Sequence, residues 1–214
     1  MCGRYSASRP PDLTEETYAA RVVDEPPPPS WNVAPTDPVS VVVDRGEGRE
    51  LRTLRWGLIP SWADDPRIAS RLINARAETV AEKPAFRSAL VRRRCLVPAD
   101  GWYEWRQKRP HFISRAEPIA FAGLYERNGE TRTFTIVTTE AAPDVAYLHD
   151  RMPVVLPPDV WDEWLDPAND DAAALCGLLL PQTGFAAYEV STAVNDVRRD
   201  GPELLAPVTE ETLF

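Results

Sequence analysis

Hydrophobic residues fall along this chain in short runs separated by turn-forming residues. Residues 38–44, with Val39, Val41, Val42 and Val43, read as a buried strand. The turn Arg45-Gly46-Glu47-Gly48 leads to a partner over residues 51–56, which makes a hairpin. Residues 95–98, 101–105, 111–114, 119–125 and 133–138 read as further short strands, with Asn128-Gly129 as one hairpin turn, and residues 187–190 as the last strand. Helical spacing is confined to short pieces over residues 12–20, 75–80, 84–92, 157–165 and 170–179, with a helix also starting over 143–148. The first has Asp12 or Thr14 as a cap and Glu15 and Glu16 in its first turn. Four prolines at 26–29 exclude helix and central strand, and Trp31-Asn32-Val33-Ala34-Pro35 reads as an ordered turn leading to a strand. Residues 57–62 read as a loop and 64–73 as irregular or a short helix. Strands that follow one another as hairpins, without alternating helices, predict an α+β fold. The expectation is one domain over residues 1–214, with a largely antiparallel, barrel-like β core and flanking short helices.

Length agrees, since 214 residues bury an ample core without staples. Three cysteines, Cys2, Cys95 and Cys176, and two histidines offer no zinc-type spacing, so neither metal nor cofactor is expected. Unpaired thiols, no apolar run near 18 residues and an N-terminus interrupted by Arg4, Arg9 and Asp12 point to a cytoplasmic protein with no membrane segment. The net charge of −9 at first sight opposes nucleic acid. Its distribution changes that picture. Residues 44–115 hold 16 of the 24 Lys+Arg but only 9 of the 33 Asp+Glu, which leaves one basic region able to meet phosphate. Only Lys83 and Lys108 are lysines; arginine offers forked recognition of phosphate, although a GC-rich genome would give the same usage.

Several residues could carry chemistry. The small Cys2 lets an aminopeptidase remove Met1, which would leave a cysteine with a free amine and thiol on adjacent carbons. Reference pKa values of about 7.7–8.0 and 8.5 keep reactive forms of both near neutrality. The plain alternative is an ordinary cysteine after Met1. Glu104, inside Trp102-Tyr103-Glu104-Trp105, is either a desolvated acid–base group or a strand glutamate on a solvated face. His149, in Leu148-His149-Asp150-Arg151-Met152-Pro153, is a candidate proton carrier or a surface histidine capping a helix end, whereas His111 suits a strand surface. Asn74 reads as a helix N-cap or as an amide that orients a reactive group. Trp56, Trp62, Trp102 and Trp105 lie in the basic region; Trp62, on a loop after Pro60, is the one expected to be exposed, where aromatics beside arginines suit single-stranded nucleic acid.

Seven blocks, taken in order, resemble one family. They are Met1-Cys2-Gly3-Arg4-Tyr5, Trp31-Asn32-Val33-Ala34-Pro35, Trp56-Gly57-Leu58-Ile59-Pro60-Ser61-Trp62, Ile73-Asn74-Ala75-Arg76-Ala77-Glu78, Ala99-Asp100-Gly101-Trp102-Tyr103-Glu104-Trp105, His149-Asp150-Arg151-Met152-Pro153 and Val190-Ser191-Thr192-Ala193-Val194-Asn195. This is the pattern of SOS response-associated peptidase proteins, which process abasic sites and crosslink to DNA. The resemblance implies a monomer that holds abasic single-stranded DNA and closes a thiazolidine between Cys2 and the sugar aldehyde. It implies that Asn74 positions the Cys2 amine, that Glu104 moves protons and can assist strand cleavage by β-elimination, and that His149 protonates the sugar ring oxygen and assists reversal. Arg4, Arg76 and Arg151 match phosphate-gripping positions, and Pro35 and Trp62 match residues lining the DNA channel. A second tryptophan that some members carry is Ala63 here, which weakens stacking or strand separation. The family name keeps an N-terminal-nucleophile peptidase as the rival reading, and a passive single-strand binder as a third.

Overall fold

The valine-rich run folds as β4 (Pro38–Asp44), antiparallel along its length to β5 (Arg49–Trp56). The computed structural model describes residues 2–208. In it β4 also pairs with β7 (Arg94–Ala99), β7 with β10 (Ile119–Asn128), and β10 with β11 (Thr131–Glu140). β11 then pairs in parallel with β5 at Phe134 and Trp56, which closes a five-stranded barrel. Alternation sends Val39, Val41, Val97, Phe121 and Phe134 into the barrel, while Val42, Leu96, Ala122 and Leu124 face outward. The outward residues are buried too, beneath α1 (Pro11–Tyr18), α2 (Arg87–Arg92), α3 (Trp161–Leu165) and α4 (Ala172–Gly177). Burial on both faces explains why these strands read as near-continuous apolar runs. The antiparallel, barrel-like α+β core expected from the sequence is present, with few and short helices.

A second sheet lies across one end of the barrel, in the order β13 (Ala186–Glu189), β9 (Arg109–Ser114), β8 (Gly101–Arg106), β1 (Tyr5–Ala7) and β3 (Ser30–Val33). Tyr5 and Trp102 reach from it into the barrel. The Tyr5 ring meets Trp56 and Phe121 edge-on at centroid distances of 5.2 and 5.7 Å, and Trp102 meets Phe121 at 6.1 Å. The sheet's other face packs Tyr103, Phe112, Val194 and Leu204.

Four expectations need correction. Residues 75–80 are not helical: Asn74–Arg76 forms β6, parallel to β11, and only Ala77–Thr79 makes a 3-10 turn. β11 runs on beyond its contact with β5, and its Ile136 N–H donates to the Ile73 carbonyl at 3.1 Å, so pairing outcompetes local propensity. The helix expected to start over 143–148 is a chain of turns, because Asp144 spends its carboxylate on the N–H groups of Gly184 and Phe185 at 2.7 and 3.0 Å. Trp31-Asn32-Val33 is strand, not turn, since β1 offers it an edge. The first helix ends at Tyr18, where Ala19 turns left-handed at φ 47°. Beyond these, β2 (Arg21–Val22) and β12 (Arg151–Pro153) are too short to register in a sequence pattern. No described helix is long and apolar enough to cross a membrane.

Gly101 starts β8 where a Cβ would collide with the Ile113 carbonyl oxygen and the Phe112 ring. Gly101→Ala should therefore cost about 1–3 kcal/mol through overpacking, measured as a lower urea midpoint at unchanged slope. An unshifted midpoint would show that this corner yields freely.

Candidate active site

The pairing of β1 with β8 sets the position of Cys2. Tyr5 lies opposite Trp102, and the Tyr103 N–H donates to the Arg4 carbonyl at 3.0 Å. Carried back along the chain, this antiparallel register brings Gly3 opposite Glu104. Cys2 is fully buried in the apolar cluster that fills this end of the barrel. Asn74, first residue of β6, donates from Nδ2 to the Cys2 carbonyl at 2.8 Å, while its Oδ1 is buried with no hydrogen-bond partner among the described residues.

Glu104 is only 4 % exposed and shares the Trp102 face of β8, so the desolvated alternative holds and the solvated one does not. Burial pushes its carboxyl up to about 7, and the charge of Asp150 adds to the rise. The Cys2 thiol is also pushed up, first by burial and then by Glu104. The two groups are thus within electrostatic reach, in surroundings that disfavour charge on either.

His149 is half-buried at the corner before β12 and caps no helix. Its Nδ1 accepts the Arg151 N–H at 2.9 Å and lies 2.8 Å from Asp150 Oδ1. These contacts need opposite states of that nitrogen: bare for the N–H, protonated for the carboxylate. Partial burial lowers the imidazole pKa while Asp150 opposes it. A neutral ring that accepts the Arg151 N–H on Nδ1 would carry its proton on Nε2. Asp150 is also within electrostatic reach of Glu104.

The three candidate phosphate-binding arginines differ in what already holds them. Arg151 makes a forked pair with Glu78 at 2.7 and 2.9 Å and donates to the Thr138 carbonyl at 2.7 Å. Hydrogen bonding to Arg151 holds the Glu78 carboxyl below its usual range, with Arg76 assisting. Arg4 is half-buried and donates to Asn32 Oδ1 at 2.7 Å and to the Val194 carbonyl at 2.8 Å. Arg76, at the end of β6, is exposed, with no hydrogen bond or ion pair among the described residues. Trp62 is 60 % exposed and, with Ala63, Arg67 and Arg71, borders an open cleft of about 730 Å³. Pro35 is half-buried in the turn between β3 and β4. Both loops leave the barrel at the Cys2 end.

Sequence reasoning missed Glu78, Asn32 and Asp150 as partners of these groups. Glu78 and Asn32 sit inside the recognised blocks, but no spacing rule joins Glu78 to Arg151 across 73 positions. His111, expected on a strand surface, is half-buried directly opposite Glu104 in the β8–β9 register. Among the described residues no group of three or more His, Cys, Asp or Glu converges as a metal site would.

Residues 1–197 match the family described as SOS response associated peptidase (SRAP). The chain is 40 % identical over 221 residues to the abasic site processing protein YoqW of Bacillus subtilis (strain 168), covering 96 % of this chain and 99 % of that one. Against the abasic site processing protein YedK of Escherichia coli (strain K12) the identity is 36 % over 233 residues, with 97 % and 100 % covered. Against the abasic site processing protein HMCES of Gallus gallus it is 33 % over 223 residues, with 84 % of this chain and 66 % of that one. A crystal structure of a protein from Bacteroides thetaiotaomicron superposes with a TM-score of 0.84 at 26 % identity, over 97 % of this chain and all of that one.

The raised pKa of Glu104 has a stability consequence. The folded state holds this proton more tightly than the unfolded one, so the group's contribution is complete below about 4.5 and is lost as pH rises through about 7. Glu104→Gln, neutral throughout, should escape that loss. Its melting temperature relative to wild type should rise between pH 4.5 and 7, with a gain of roughly 1–3 kcal/mol at pH 8. A pH-independent difference would mean that Glu104 titrates normally.

Proposed function

The chain belongs to the SOS response associated peptidase (SRAP) family, and from that premise we propose that it traps abasic sites in single-stranded DNA covalently on Cys2. Its relatives YoqW, YedK and HMCES are named abasic site processing proteins. One observation carries the reading for this chain: Cys2 lies within electrostatic reach of a carboxyl poised at about 7, with its own carbonyl held by Asn74.

Removal of Met1, which lies outside the described residues, makes the Cys2 nitrogen a primary amine. A ring-opened abasic deoxyribose presents an aldehyde at C1′. The nitrogen bonds to C1′, and the carbonyl oxygen leaves as water, which gives an imine. The thiol sulfur then bonds to the same carbon and its proton passes to nitrogen. Amine, thiol and aldehyde are consumed; a five-membered thiazolidine and one water are formed. A carboxyl near 7 can accept a proton from the amine and return one to the departing oxygen without a large penalty either way. The Nε2–H of His149 is the donor for the sugar ring oxygen as the ring opens, and the same group serves reversal. The unpartnered Asn74 Oδ1 suits a donor on the Cys2 nitrogen. When the sulfur does not close, Glu104 as base can drive β-elimination at the imine, which is lyase chemistry.

Arg76 is the arginine best placed for phosphate, being exposed and uncommitted. Arg4 and Arg151 would bind through the donors their protein partners leave over. Trp62 offers a stacking face and Pro35 a channel wall, with Ala63 leaving a single aromatic there. The protein would act as a monomer, on DNA in the nucleoid.

Incubation with an abasic single-stranded oligonucleotide should give an adduct that survives denaturing electrophoresis and disappears in Cys2→Ala; wild type forming none would sink the proposal. Glu104→Gln should slow formation by about 10²-fold and flatten its rise with pH through about 7. For non-covalent binding, Arg76→Ala should reduce the slope of log affinity against log salt by about 0.7, one phosphate contact on a single strand. An unaltered slope would remove Arg76 from the interface.

A further inference from the structure

The barrel has a second end, and its rim is arginine. On β4 the inward positions are Val39, Val41 and Val43, and the next in that alternation is Arg45. The same count by twos from the apolar interior brings Arg52 of β5, Arg93 before β7, Arg127 of β10 and Arg132 of β11 to the rim. All five strands thus place an arginine at the end opposite Cys2. With Arg92 and Tyr125 these residues line an open cleft of about 650 Å³, a volume within the range of small-ligand sites.

Acidic neighbours fix part of this collar without using it up. Arg52 is held by Glu50 at 2.8 Å and Asp24 at 3.5 Å, Arg93 by Glu126 at 2.6 Å, Arg127 by Glu130 at 2.9 Å and Arg132 by Asp24 at 2.8 Å. Asp44 also lines the cleft. Arg45 and Arg92 have no ion pair or hydrogen bond among the described residues, and the buried Nε–H of Arg93 has no acceptor. The Tyr125 hydroxyl has no hydrogen bond among the described residues either, although Arg45, Arg93 and Arg52 are all within electrostatic reach of it. Forked donors held in place, two uncommitted guanidinium groups, an orphaned buried N–H and a phenol together ask for an anion with several acceptor oxygens. In a chain of net charge −9, six arginines against the carboxylates of Asp24, Asp44, Glu50, Glu126 and Glu130 leave this cleft slightly positive.

We propose that this collar is a phosphate-ester site at the barrel end away from Cys2, of a size to take a mononucleotide. A free nucleotide and a phosphodiester of the DNA backbone present the same group, and the site does not depend on the Cys2 chemistry. Calorimetric titration of the full chain with adenosine monophosphate, inorganic phosphate and a short undamaged oligothymidylate tests it. Saturable binding of at least one phosphate ester is expected, weakening with salt. It should fall by about tenfold in the double variant Arg45→Ala/Arg92→Ala and persist in Arg76→Ala. Binding of the nucleotide marks a small-molecule site; binding of the oligonucleotide alone marks the DNA backbone. Adduct formation on abasic DNA should be unchanged in the double variant, which separates this site from the Cys2 site. If the double variant melts early, Arg92→Ala alone, at an exposed helix end, carries the same comparison. No binding of any probe by wild type, or equal binding by the folded variants, overturns the proposal.

Discussion

A five-stranded barrel has two open ends, and this chain fills one of them with its own N-terminal segment. Tyr5 enters between Trp56 and Phe121 and is fully buried. To reach that place β1 must pair with β8 on one side and β3 on the other. That single insertion has three results. It closes the hydrophobic interior, since without Tyr5 the faces of Trp56 and Phe121 would meet water. It seats Cys2 against the barrel. It also fixes the register that sets Glu104 across from the start of the chain. A terminal segment is ordinarily the loosest part of a domain; here its order follows from a bulky aromatic with nowhere else to go.

The apolar filling then decides the chemistry available. In polar surroundings the carboxyl would ionise far below neutrality and the thiol only near its ordinary value of about 8.5. Buried as they are, each resists charge, and Glu104 raises the pKa of the thiol further. The carboxyl yields first, near 7, so it can give and take a proton while the thiol stays protonated. His149 lies at the wetter margin, between a backbone N–H and Asp150. Burial thus separates a buried carboxyl, raised to about 7, from a half-buried imidazole whose pKa is lowered.

How much of this was legible in the sequence varies with the range of the interaction. The barrel hairpins were, because β4, β10 and β11 bury both faces along much of their length and the turn glycines Gly46, Gly48 and Gly129 mark the hairpin turns locally. The site residues were legible as types, and the resemblance named them, but the choice between a solvated and a desolvated Glu104 was open. Only the packing of Trp102 into the barrel and Tyr103 into the opposite layer settles it. The segment after Asn74 misled because its local pattern suits a helix, while the free edge of β11, over sixty residues away, takes it as a strand. Glu78, which pairs with Arg151, is invisible locally for the same reason. β1 is three residues long and carries no periodicity.

Arginine use shows what the fold does with its scarce positive charge. In an acidic chain a guanidinium readily meets a nearby carboxylate, and half of the 22 arginines have done so, among them Arg151 with Glu78, Arg93 with Glu126 and Arg132 with Asp24. Such pairs hold geometry more than they add stability when water reaches them. What remains is therefore informative. Of the arginines with no ion pair or side-chain hydrogen bond among the described residues, Arg76 stands at the end that holds Cys2, and Arg45 and Arg92 at the end that does not. Each has paired or buried arginines beside it that are already oriented. A single phosphodiester needs little more than one free fork beside positioned ones. The two ends of the barrel thus present the same kind of group, and they differ in one respect: Cys2 lies within electrostatic reach of a carboxyl raised to about 7, whereas the buried Cys95 behind the other collar has no such partner.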